Sequence, residues 1–129
     1  MLKRFDPEGV PAPLTAYSHG VVVPEGWKQL HVAGQIGAEP DGAIPDDPGR
    51  QAELCFANVL AVLDAEGMGP QNVVSLTTYV VGPENLLPVR NAFVAALGDV
   101  KPASTLVFVQ ALANPKLKVE IQAIAAGIV

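Results

Sequence analysis

The residues best placed to do chemistry in this chain lie near its C-terminal end. In Leu117-Lys118-Val119-Glu120-Ile121-Gln122-Ala123-Ile124-Ala125, polar Lys118, Glu120 and Gln122 alternate with apolar Val119, Ile121 and Ala123. That is the period of a strand with one buried face. A carboxylate in so apolar a segment must face solvent, a partner or a cleft, because an unpaired charge is costly to bury. Glu120 is therefore the first candidate for chemistry; the competing reading is a solvated strand residue paired with Lys118. Upstream, Lys101-Pro102-Ala103-Ser104-Thr105-Leu106-Val107-Phe108-Val109 is a second β-rich run. Its Ser104 and Thr105 hydroxyls can donate to a neutral ligand, although paired hydroxyls are also ordinary strand choices. A serine nucleophile would need a base, which requires His19 or His31 to approach across a subunit boundary.

Other chemistries are disfavoured. One cysteine, Cys55, makes neither an intrachain disulfide nor a thiolate metal site, and His19 and His31 lack a HExxH-type spacing, so no metal is expected. Cys55 beside Phe56 in a helix reads as core filler. His31, on an alternating strand, reads as half-buried and satisfied, whereas His19 beside Tyr17-Ser18 is the better site candidate.

These residues need a scaffold, and the composition bounds it. Half of the 129 residues are hydrophobic and only 16% are charged, with a mean hydropathy of +0.32. That is apolar for a small domain, so part of the surface is expected to meet another subunit. The length fits a single domain over residues 1–129. The net charge of -5 comes from scattered carboxylates, and the eight Lys and Arg form no dense basic block. Phosphate backbones want clustered cations, which argues against nucleic acid as a partner. No apolar run approaches the roughly 18 residues of a membrane span. Met1-Leu2-Lys3-Arg4-Phe5-Asp6-Pro7 has no signal-peptide core, so the expectation is a cytoplasmic chain with no membrane partner.

Along the chain, residues 1–15 hold three prolines and are expected to be an extended arm. Residues 16–23 and 28–36, with a turn at Pro24-Glu25-Gly26-Trp27, read as a hairpin, and residues 37–49 as a surface loop. Asp47, Pro48 and Gly67 carry the cap, first-turn and stop signals of a helix whose buried stripe is Phe56, Val59, Leu60 and Leu63. Val73 to Val81 is β-branched and reads as a strand. Asn85 is the expected cap of a second helix with Pro88 in its first turn and Gly98 at its end; Val89, Ala92, Phe93, Ala96 and Leu97 form its stripe. The two β-rich C-terminal runs read as a second hairpin. The order is thus β-β-α-β-α-β-β, an α+β arrangement with both helices on one face of a mixed sheet. The other face has no cover within the chain, and a further copy of the same sheet in a closed cyclic oligomer is the expected cover.

Several separate segments also carry a resemblance. Tyr17-Ser18 before a valine strand, Val32-Ala33-Gly34-Gln35-Ile36, the Val74 to Val81 strand with Thr77-Thr78, Asn91, Pro102-Ala103 and Val119-Glu120-Ile121-Gln122-Ala123-Ile124-Ala125 stand in order over nearly the whole chain. Together they resemble the YjgF/RidA family, also labelled the endoribonuclease L-PSP family. The resemblance implies a chorismate-mutase-like α+β fold, a homotrimer around a central β-barrel, and small-molecule clefts between subunits. The best-known members hydrolyse enamines and imines such as 2-aminoacrylate to 2-keto acids and ammonia, with no metal or organic cofactor. By the same resemblance Glu120 handles the attacking water, Tyr17 borders the cleft, the Gly34 backbone approaches the ligand, and Asn91 lies near the cleft.

One position departs from the pattern. Pro102-Ala103-Ser104-Thr105 stands where the family reads Pro-Ala-Arg-Ser, so the arginine that clamps a substrate carboxylate is replaced by Ser104. Ala33 and Leu106 also stand where serine and cysteine are common. The expectation is a hydrolase of enamine- or imine-type C–N bonds that does not favour ordinary 2-imino acids. The alternative is a non-catalytic trimer that binds a small metabolite as a sensor or buffer. A ribonuclease-like role is the weakest reading, because an acidic chain without a basic stripe repels RNA.

Overall fold

A computed structural model describes residues 1–128. Eight main elements follow in order: β1 (Lys3–Phe5), β2 (Gly20–Val22), β3 (Lys28–Ile36), α1 (Pro48–Asp64), β4 (Val73–Val81), α2 (Leu86–Leu97), β5 (Ala103–Val109) and β6 (Val119–Gly127). Single 3-10 turns at Pro70–Asn72 and Pro83–Asn85 precede β4 and α2. The main sheet is mixed, with strand order β3-β6-β4-β5; β6 runs antiparallel to both neighbours and β5 runs parallel to β4. Among the described residues no helix is long and apolar enough to cross a membrane.

Both helices cover one face of this sheet. Phe56, Val59 and Leu63 of α1 and Val89, Ala92 and Leu97 of α2 are buried against Leu76 and Val80 of β4 and Val119, Ile121 and Ala123 of β6. The Phe56 and Phe93 rings meet edge to face at 5.8 Å, a geometry favoured by the ring quadrupoles. The helix signals act as read: Asp47 Oδ2 accepts from the Arg50 N–H at 2.9 Å, and Gly67 and Gly98 end their helices at φ +70° and +58°. Asn85 differs. Its side chain does not cap α2 but donates to the Val81 carbonyl at 2.7 Å, because the 3-10 turn already occupies the helix start.

Neither expected hairpin forms. β2 pairs with β1, not β3, so the N-terminal arm contains a strand; the Phe5 ring lies directly over Gly20, where a Cβ would overlap it. Arg4 then ties this small sheet to the main body by donating to the Gln71 and Lys101 carbonyls at 3.0 and 3.4 Å. β5 and β6 are not neighbours either. The helix between β4 and β5 makes them a crossover unit, which demands parallel pairing. β6, whose inward residues are at most 3% exposed, takes the protected centre between β3 and β4.

Gln51 holds the site's scaffold together from α1. Fully buried, it donates through Nε2 to the Pro45 and Lys116 carbonyls at 2.9 and 3.0 Å and accepts from the Lys118 N–H at 2.8 Å. It therefore fixes the entry to β6 two residues before Glu120.

Candidate functional site

Glu120 sits half-buried on the sheet face that the helices leave open, level with Tyr79 of β4 and Ile36 of β3. The alternation read from the sequence holds, since Val119 and Ile121 on either side are fully buried. Between Val32 and Gln35 the β3 register against β6 slips by one residue, a β-bulge that re-aims side chains locally. Gly34 lies in that bulge, and a Cβ on it would overlap the Glu120 carboxylate. Gly34 is thus the position where the carboxylate crosses the backbone. Glu120 forms no ion pair with Lys118 among the described residues. Behind the sheet, burial pushes the Cys55 thiol up to about 12, with the Glu120 charge adding to the effect. Cys55 is core filler, as read.

A second feature lies on the helix side of the sheet, at the β5 edge. A cavity of about 340 Å³ is lined by Tyr17, Thr78, Arg90, Phe93, Ser104 and Leu106, with neighbouring residues of the 15–17 segment and α2. The N-terminal segment is pinned beside β5 where Ser18 donates from N and Oγ to the Pro102 and Lys101 carbonyls at 3.0 and 2.6 Å. Tyr17 is thereby held at the cavity. His19 is exposed, with Nε2 at 2.6 Å from the Pro11 carbonyl oxygen, and its ring meets Tyr17 edge-on at 5.6 Å. It supports Tyr17 and does not line the cavity.

The strand register separates these two features. Ser104 is level with Leu76, which faces the helices, while Glu120 is level with Tyr79 on the open face. Within one chain Ser104 and Glu120 therefore lie on opposite faces of the sheet. Thr105, level with Thr77, is exposed on the open face, one step from Ser104 and turned away from it. Asn91 is exposed on α2 and is not among the cavity residues; its neighbour Arg90 is. His31 is exposed, not half-buried, with Nε2 3.2 Å from Gln29 Oε1, because the face it occupies has no cover in the chain. Among the described residues no group of three or more His, Cys, Asp or Glu is placed to hold a metal ion.

With this geometry in view, residues 8–127 match the family described as Endoribonuclease L-PSP. The chain belongs to this family, that of the YjgF/RidA proteins. Family relatives include a 2-iminobutanoate/2-iminopropanoate deaminase of Salmonella typhimurium, 32% identical over 130 residues and covering 97% of this chain and 98% of the relative. A RutC family protein of Aquifex aeolicus is 31% identical over 118 residues, covering 88% and 92%. Among solved RidA-family structures, a Rid-family protein of unknown function from Yersinia pestis has a TM-score of 0.86 and 33% identity, covering 98% of both chains. Escherichia coli TdcF, solved with bound serine, has a TM-score of 0.72 and 26% identity over 97% and 98%.

Arg90 and Phe93 are among the cavity residues that sequence reasoning did not single out as site residues. Phe93 belongs to the apolar stripe of α2, and Arg90 precedes it by three positions, on the flank of that stripe. A lone cation on a helix whose other residues, Asn91 apart, are apolar was the available signal.

Proposed function

We propose that this RidA-family protein binds a small metabolite in clefts between subunits and hydrolyses an enamine- or imine-type C–N bond there. Glu120 accepts a proton from water as the water oxygen adds to the imine carbon. Glu120 returns that proton to the nitrogen, giving a carbinolamine. The hydroxyl proton then passes to the departing amine, so that ammonia leaves, a carbonyl compound remains and Glu120 is again a carboxylate. The observation that carries this reading is the Glu120 carboxylate held across Gly34 at a β-bulge on the uncovered face. Relatives named 2-iminobutanoate/2-iminopropanoate deaminase support it. Because Ser104 and Glu120 face opposite ways in one chain, the reading takes the complete cleft as shared between copies in a homotrimer. Ser104 brings no charge to β5, so ordinary 2-imino acids are poor substrates in this reading. No metal or organic cofactor enters the proposed step.

The test is ammonia release from a panel of enamines and imines by wild type and Glu120→Gln. The amide keeps the shape but removes a proton acceptor typically worth about 100- to 10,000-fold in rate, so turnover falls by that order while ligand affinity changes little. Equal turnover would demote Glu120 to a strand residue. Ser104 favours a second reading, a non-catalytic trimer that binds a metabolite in the same clefts; saturable binding with no turnover of any panel member would select it.

A further inference from the structure

Among the described residues lining the cavity, Arg90 alone carries a charge, and no Asp or Glu joins it there. It forms no ion pair among the described residues, although the chain as a whole is acidic with a net charge of -5. The walls beside it, Val89, Phe93 and Leu106, are apolar. Depth orders the polar groups: Thr78 is 2% exposed, Ser104 and Tyr17 are half-buried, and Thr15 and Arg90 are exposed. Neutral hydroxyls thus lie inside, apolar walls rise from them, and one uncompensated guanidinium stands at the rim.

We propose that Arg90 anchors the carboxylate of a small organic acid whose apolar body fills the cavity, with the uncharged end lying inward at Thr78 and Ser104. The inference rests on the cavity being the ligand cleft proposed above, and it names the ligand class: acids whose carboxylate is separated from the reacting carbon by an apolar body. A planar guanidinium pairs with a carboxylate through two parallel hydrogen bonds. A single cation against apolar walls suits a monoanion better than a phosphate dianion, which draws on several donors and charges. The volume of about 340 Å³ lies at the small end for ligand sites. The anchor sits on α2, so the ligand is held from the opposite side to β5.

The experiment is calorimetric titration of the full chain with hexanoate, hexanamide, 2-oxobutanoate and inorganic phosphate, using wild type, Arg90→Gln, Arg90→Lys and Glu120→Gln. Arg90 is exposed on a helix and glutamine is a good helix former, so the variants fold. Wild type is expected to bind hexanoate saturably and more tightly than hexanamide or 2-oxobutanoate. Arg90→Gln is expected to lose on the order of 10- to 100-fold in hexanoate affinity, with hexanamide unchanged and Arg90→Lys intermediate. Equal hexanoate binding by Arg90→Gln overturns the inference. So does hexanamide matching hexanoate in wild type, tighter binding of 2-oxobutanoate or phosphate, or no saturable hexanoate binding up to about 10 mM. Glu120→Gln is expected to bind hexanoate like wild type, which separates the two proposals. Arg90-dependent binding without turnover of any imine leaves the anchor standing and removes the hydrolase; Glu120-dependent turnover with Arg90-independent binding does the reverse.

Discussion

The Glu120 carboxylate occupies the space that a side chain on Gly34 would need. The atoms in the way are the flexible end of Glu120, not backbone, so Gly34→Ala is expected to displace the carboxylate and leave the fold in place. Stability should change by less than about 1 kcal/mol, while turnover of any substrate found by screening falls by at least about 100-fold, as for Glu120→Gln. Thermal melts and ammonia release measure the two separately. Full turnover in Gly34→Ala would mean that the position of the carboxylate over Gly34 has no part in the chemistry.

Native mass measurement at micromolar concentration is expected to give three chains. The sheet face carrying Glu120, Gln122, Tyr79 and Thr105 has no cover among the described residues, and Ser104 and Glu120 cannot meet within one chain. A stable monomer would remove the shared cleft.

Ammonia release from enzymatically generated 2-aminoacrylate is expected to be near background for the wild type and to rise in Ser104→Arg. The side chain at 104 lines the cavity, and a charge-assisted contact to a carboxylate is worth roughly 1.5 to 3 kcal/mol, or about 10- to 150-fold. Wild-type activity equal to that of an arginine-bearing relative would refute the expectation.

Gln51→Leu is expected to destabilise the fold by about 2 to 4 kcal/mol, because it strands the Lys118 N–H and the Pro45 and Lys116 carbonyls, and unpaired buried polar groups are costly. Hydrogen exchange should quicken first at Lys118. A denaturation midpoint equal to that of wild type would show that water replaces all three bonds.

Cys55 predicts an alkaline limit. Its thiol has a reference value of 9.0 and is pushed up to about 12 by burial, with Glu120 contributing. Above about pH 9 the unfolded chain releases this proton while the folded chain keeps it, so stability falls as pH rises, by about 1.4 kcal/mol per pH unit until about pH 12. Below pH 9 the thiol contributes no slope. Denaturation across this window should show Cys55→Ala lacking that part of the decline; identical slopes would contradict it. Native Cys55 should also resist thiol reagents at pH 8.

What the sequence made legible was local. The period-two run around Glu120, the apolar stripes of both helices, and the stop signals at Gly67 and Gly98 each depend on neighbours a few residues away, and each is seen in the structure. Strand partnership was not legible. Adjacent β-rich runs suggest hairpins, but α2 between β4 and β5 forces those two parallel, and the fully buried inward face of β6 draws it to the centre. The same difficulty hid Arg90. Its relation to Ser104 arises only when α2 packs over the β5 edge, and spacing along the chain carries no trace of that.

The opposite facing of Ser104 and Glu120 bears on how such a protein diverges. Apart from the N-terminal segment, the cavity is lined by residues of the β4–α2–β5 crossover, while Glu120 rides on β6 against the β3 bulge. In the reading proposed above, a substitution at 104 that changes which molecule is recognised need not disturb the strand that carries the carboxylate. On that proposed reading, ligand preference and reactive group can vary as separate inheritances on the two sides of one sheet, rejoined in a cleft shared between copies.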